Sequence, residues 1–211
     1  IDNVGLKEQG QYQLRAWHAF PGGLTGEYYY DIFFSKLAIT RQDRVVNFTW
    51  GMGKIAPYSI DYVTVRWTGA LKIDQTADYF FKVEADDHSR LWLNGELLLD
   101  HWHEMYAKLE PSRKIHLVAG NMYELVLEYR DVRGEAHCVL LWGINTTPVD
   151  VVPQTNLYGI YELRALSPTD IVVRSAATQA SRTECHGDGL YGAKALKKSN
   201  FVVCPRDAYG N

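Results

Sequence analysis

Apolar and polar residues alternate along most of the chain with a period of two, the spacing of strands that bury one face. The clearest stretch is Ala77–Trp102. Tyr79, Phe81, Val83 and Ala85 fall on one face of a predicted strand. Leu91 and Leu93 lead into Asn94-Gly95, and Leu97 and Leu99 follow. Asn-Gly accepts positive φ at both central positions, so the pattern predicts a two-residue hairpin. Val63, Val65 and Trp67 oppose Thr64 and Arg66 in a second strong strand. Ile115 and Leu117 predict a short strand. Tyr123, Leu125, Leu127 and Tyr129 predict a long one, answered by Ala136–Trp142. Gly26 and Tyr28–Tyr30 predict an edge strand that opens a sheet. Asp31–Gly53 is mixed, with short apolar pieces at Val45, Val46, Phe48 and Trp50. Tyr12, Leu14 and Ala16 alternate with Gln13, Arg15 and Trp17, and such a lone strand needs a partner further along. No window shows the 3.6-residue spacing of a helix. The fold class is therefore all-β, a sandwich or barrel of short strands.

Composition narrows the function. The 211 residues make one large or two small domains, and 46% hydrophobic content supports a core. A net charge of −3 offers no basic surface for nucleic acid. No apolar run approaches the roughly 20 residues that span a bilayer. The chain starts at Ile1 without a signal-peptide pattern and reads as a piece of something longer. Alternation places Cys138 inward with Ala136, Leu140 and Trp142, as a buried inert thiol. Cys185 and Cys204 each lie near a predicted strand and would form a disulfide if those strands are neighbours. Asn47-Phe48-Thr49 and Asn145-Thr146-Thr147 are glycosylation sequons, with Asn47 and Asn145 as acceptors. Together these features lean toward the secretory pathway and an extracellular or cell-surface location.

Asp86 and Asp87, followed by His88, close the Tyr79–Ala85 strand. Adjacent carboxylates repel unless a cation or several donors sit between them. Two readings stand side by side: a cation site, or an Asp pair that accepts hydrogen bonds from loop amides. His101 and His103 share i, i+2 spacing, and with His88 or His137 would make a transition-metal site. No Cys or carboxylate cluster with ligand spacing accompanies them, so they read as exposed strand histidines. There is no G-x-S-x-G elbow, no H-E-x-x-H and no P-loop, which points away from an enzyme.

Five segments, GLTGEYYYD, DYVTVRWTG, YFFKVEADDHSRLWLNGELLLDHW, AGNMYELVLEYRD and AHCVLLWG, occur in the order of the PA-fourteen, or protective-antigen-like, domain family. The resemblance runs from about Gly23 to Tyr158. It implies a β-sandwich of barrel-like shape and an accessory binding role, since the family occurs in adhesins, toxins, glycosidases and signalling proteins. In its sugar-binding members, two adjacent Asp residues coordinate calcium, and Asp86 and Asp87 fall on that motif. The family's remaining ligands come from a later loop, often an Asn side chain with backbone carbonyls. The matching loop here, Arg130–Glu135, offers Asp131 and Glu135 but no Asn. The resemblance thus implies Asp86, Asp87 and Asp131 as calcium ligands, with His88, Arg133 and Glu135 toward a bound ligand.

Residues 159–211 differ. Ser167-Pro168, GDGLYGAKA and NFVVCPRDAYGN resemble filamin-type immunoglobulin-like repeats, and GQYQLRAW looks like the penultimate strand of such a repeat. The resemblance implies four parts. Residues 1–22 are the end strand of one repeat, 23–158 are the inserted protective-antigen-like sandwich, 159–180 are the last strand of the first repeat, and 181–211 start a truncated second one. Gln11–Trp17 should then pair antiparallel with Asp170–Ala176, and Leu190, Phe201 and Val203 should be poorly covered. The expected function is a non-enzymatic structural or adhesive module of a large extracellular surface or filament protein. Its partners would be glycans or neighbouring subunits. The alternatives are a calcium-dependent carbohydrate-binding domain and an accessory domain of a glycoside-processing enzyme.

Overall fold

A computed structural model describes residues 10–14, 17–103, 110–145, 149–162, 169–173, 179–186 and 202–207. The chain divides into two compact units: Trp17–Tyr161, and Ile1–Ala16 together with Glu162–Asn211. The larger unit is an antiparallel sandwich, and no α-helix occurs among the described residues. The all-β expectation is met.

One sheet of the sandwich centres on β7 (Ala77–Asp86) and β12 (Ala136–Ile144). β10 (Ile115–Leu117) flanks β7, while β5 (Asn47–Gly51) and β13 (Asp150–Val151) both pair with β12. The other sheet runs β2 (Trp17–Pro21), β14 (Leu157–Glu162), β6 (Val63–Lys72), β11 (Met122–Asp131), β8 (His88–Leu93) and β9 (Glu96–Asp100). β3 (Leu24–Tyr29) also pairs with β6, and β4 (Leu37–Asp43) lies outside β3.

Period-two alternation directs one row of each strand inward. Val63, Val65 and Trp67 of β6, Phe81 and Val83 of β7, and Leu125, Leu127 and Tyr129 of β11 are fully buried. Apolar area removed from water stabilises at about 25 cal/mol per Å², so this shared core is the main favourable contribution to the fold. Asp43 sits inside it, accepting hydrogen bonds from Tyr28 Oη at 2.6 Å and Trp67 Nε1 at 2.8 Å. A Cβ at Gly69 would lie 2.2 Å from the Tyr158 carbonyl oxygen, so only glycine lets β14 approach β6 there. The predicted hairpin forms, with Asn94 at φ 48° and Gly95 at φ 75° joining β8 to β9. Cys138 is buried as expected.

Two expectations need correction. β3 is an interior strand, because Leu37–Asp43 supplies the edge beyond it. That edge strand hides in the sequence because Leu37, Ile39, Thr40 and Arg41 are exposed and leave no alternation to read. Trp17–Pro21, expected in the flanking repeat, joins the sandwich as β2.

In the smaller unit, β1 (Gly10–Leu14) pairs antiparallel with β15 (Thr169–Val173), from Gly10↔Val173 to Leu14↔Thr169. The expected meeting of these distant segments is present, though Trp17 belongs elsewhere. β16 (Glu184–His186) and β17 (Val202–Cys204) form a short ribbon. Its register opposes Cys185 to Val203 and Cys204 to Glu184. Successive side chains alternate faces, so the two thiols point to opposite sides of the ribbon. Both are free, and the expected disulfide is not formed. Val203 is 49% exposed, while Leu190 and Phe201 lie outside the described residues.

Candidate functional site

Asp86 ends β7 and Asp131 ends β11, so the sandwich brings both carboxylates to one rim. The inward row of β11 reads Leu125, Leu127, Tyr129, Asp131, and it carries the last carboxylate into the interior. Asp131 has no exposed surface, and neither Oδ1 nor Oδ2 has a hydrogen-bond partner. Burial pushes its carboxyl up to about 7, and the charges of Asp87, Asp61 and Asp86 add to the shift. Such an orphaned acid is costly unless it is protonated or meets a cation.

The Asp86–Asp87 peptide bond is cis. The Asp87 carboxylate accepts the Val132 N–H at 2.7 Å and the Arg133 N–H at 3.4 Å. Tyr129 Oη donates to the Asp86 carbonyl oxygen. Burial raises the Asp86 carboxyl, followed by its hydrogen bond and repulsion with Asp87, while His137 opposes the rise. Asp61 accepts the Gly134 N–H at 3.2 Å, and Arg133 donates from Nε to Tyr62 Oη. Four acids therefore bear on one loop cluster, with the 130s loop pinned by two of them. Asp86, Asp87 and Asp131 influence one another electrostatically, yet no three Asp, Glu, His or Cys side chains among the described residues converge into a ready-made metal cage.

A model of the PA14 domain matches residues 21–156. The chain belongs to the PA14 domain family. The anti-sigma-I factor RsgI3 of Acetivibrio thermocellus is 36% identical over 138 residues, covering 64% of this chain and 21% of that protein. The structure of an anti-sigma factor domain-containing protein from Clostridium clariflavum matches with a TM-score of 0.60 at 32% identity, over 67% of this chain and 47% of that one. The PA14 sugar-binding domain from an RTX adhesin shares the fold, with a TM-score of 0.56 at 18% identity, over 66% of this chain and 99% of that one. The chain spans about a fifth of the length of the curated relatives it matches.

Within this PA14 domain the other expected residues scatter. Glu135 is exposed beside Asp86, and Arg133 is exposed against Tyr62. His88 is instead 8% exposed and pairs in register with Arg130 on the outer face of its sheet. Its Nδ1 has no partner, and burial, then the Arg130 charge, hold its pKa below the usual imidazole value. Trp102 covers that face, stacked by Arg90 at 4.1 Å and Arg130 at 4.5 Å. His101 follows β9 half-buried, and His103 is exposed. Asn47 and Asn145 are both exposed. Asp61 and Tyr62 were not singled out from sequence. The available signal was an acid and an aromatic immediately before the strong Val63 strand, which reads equally well as a strand start.

Proposed function

We propose that this PA14 domain is a non-enzymatic, calcium-dependent glycan-binding module working outside the cell. The observation that carries the reading is the buried Asp131 carboxylate, unbonded at both oxygens and close enough to Asp87, Asp61 and Asp86 to feel their charges. Asp86, Asp87 and Asp131 would hold the ion. The missing Asn of the family pattern and the lack of a preformed cage are met by calcium's use of backbone carbonyls and waters among its six to eight oxygen ligands. Bound calcium supplies positive charge and coordination positions open to sugar hydroxyls. The chain's own part is to hold the two loops together through Asp87 and to exclude water beneath them. Arg133, Glu135 and Tyr62 stand at the rim where a sugar would be met. The RTX adhesin domain of the same fold is a sugar-binding domain, which agrees with this reading.

A glycan array probed with and without chelator tests it. Binding that requires calcium supports the module. An array blank in both conditions, or signals indifferent to chelator, overturns it.

A second reading is favoured by the β1·β15 ladder, which brackets the PA14 domain. The ladder supports filamin-type flanks and a structural or adhesive role within a longer surface protein, with neighbouring subunits as partners. Asn47 and Asn145 would then carry glycans. A structure of the longer parent chain, showing whether the flanks complete immunoglobulin-like sandwiches, decides between flanking repeats and some other scaffold.

A further inference from the structure

The outer face of the β2–β14–β6–β11 sheet carries a hollow of about 420 Å³. That volume lies within the usual range for small-ligand sites. Small residues make its floor: Ala70 on β6 stands directly opposite Glu124 on β11, and Ala19 lies on β2. Longer side chains make its walls. Trp17 rises from β2 and is 43% exposed, Ile160 rises from β14, and Met122 from β11. Asn94 in the β8–β9 turn closes the far side. Its Oδ1 accepts the Glu124 N–H at 2.7 Å, which fixes the amide and leaves its N–H groups directed to other uses. The Glu124 side chain is exposed and stands beside that amide.

The hollow is far from the acid rim. β11 is ten residues long, with Met122 and Glu124 at its start and Asp131 at its end. At about 3.3 Å per residue, roughly 30 Å separates the two ends.

One exposed indole, apolar walls, a fixed amide and a free carboxylate form a specific combination. A purely apolar ligand would leave the amide and carboxylate desolvated without partners, which is costly. A pyranose ring fits all of the groups. Its face of axial C–H bonds lies on an aromatic plane, and its edge hydroxyls donate to a carboxylate and accept from an amide. Equatorial hydroxyls expose that C–H face most fully.

We propose that this hollow is a second sugar subsite, independent of calcium, taking a β-gluco-configured pyranose between Trp17 and the Asn94–Glu124 pair. It rests on separate residues from the acid rim, so either site can fail alone.

Saturation-transfer NMR with cellobiose in the presence of EGTA tests it on the full chain. Transfer to the sugar ring protons is expected. Trp17→Ala should weaken binding roughly tenfold, as the loss of one stacking contact would. Glu124→Gln should weaken it less, and Asp87→Ala should leave it unchanged. Ala70→Leu fills the floor and should abolish transfer, with circular dichroism reporting whether the sandwich persists. No transfer in EGTA overturns the proposal. So does transfer that survives Trp17→Ala, or that disappears with Asp87→Ala in a folded chain.

Discussion

The Asp87 carboxylate holds the Val132 amide at 2.7 Å, so one side chain ties the loop after β7 to the loop after β11. Asp87→Ala removes this charge-assisted bond and, on the proposed function, one calcium ligand. Calorimetry on the wild-type chain should show calcium binding with a dissociation constant of roughly 10⁻⁴ to 10⁻³ M, the range of extracellular modules. The variant should show no heat, and it should remain folded with a stability loss of about 1.5–3 kcal/mol. A wild-type chain silent at millimolar calcium removes the ion from the site.

Asp131 gives calcium-free stability a particular pH dependence. Its carboxyl titrates near about 7 in the folded chain, against an ordinary aspartate value of about 3.9. Between those values the folded chain keeps a proton that the unfolded chain has released. The contribution of this group is therefore full below about pH 4, declines as pH rises through about 7, and is flat beyond. Asp131→Asn should flatten that decline and raise the urea midpoint of calcium-free protein at pH 8. Parallel pH profiles for wild type and variant would show that the acid is solvated or paired after all.

Asp43 is the polar keystone of the core. Asp43→Ala strands the Trp67 N–H in an apolar interior, leaves the Tyr28 hydroxyl with only its bond from Arg41, and should cost about 2–5 kcal/mol in urea unfolding. Trp67→Phe removes one donor and some packing, and should cost about 1–3 kcal/mol. If Asp43→Ala proves neutral, water has replaced the carboxylate.

The ribbon register predicts thiol chemistry. Maleimide labelling of native protein without reductant should modify Cys185 readily, because it is exposed and free, and Cys204 more slowly. Cys138 should react only after unfolding, since it is fully buried and burial raises its thiol pKa. A mass two units low per chain, with Cys185 unreactive, would show that a disulfide forms in solution despite the register.

The sandwich was legible because its strands bury one face each, and Val63–Trp67, Tyr79–Ala85 and Tyr123–Tyr129 write that face directly into the sequence. β4 was not, because an exposed edge strand is free to carry Thr40, Arg41 and Gln42 with no alternation. Of the acid rim, adjacency betrayed Asp86 and Asp87, and the family pattern pointed to Asp131. Asp61 stayed hidden because its tie to Gly134 crosses 73 positions of sequence. The placement of His88 failed for a simpler reason. A residue beside a loop motif can still be the first residue of a strand, and its register then decides which face it occupies.

The β1·β15 ladder also sets how the chain would carry tension. Gly10 lies opposite Val173, so the two chain ends that leave the ladder do so side by side. A pull applied to them would peel the pairs open one at a time, as a zipper does, beginning at Gly10–Val173 and ending at Leu14–Thr169. Trp17–Tyr161 lies in the span of chain that the ladder closes. The rings of His18 and Tyr161, tilted against each other with centroids 4.9 Å apart, keep the entry and exit of that domain together. A ligand held by the PA14 domain would then stay bound while the chain on either side of the ladder is stretched.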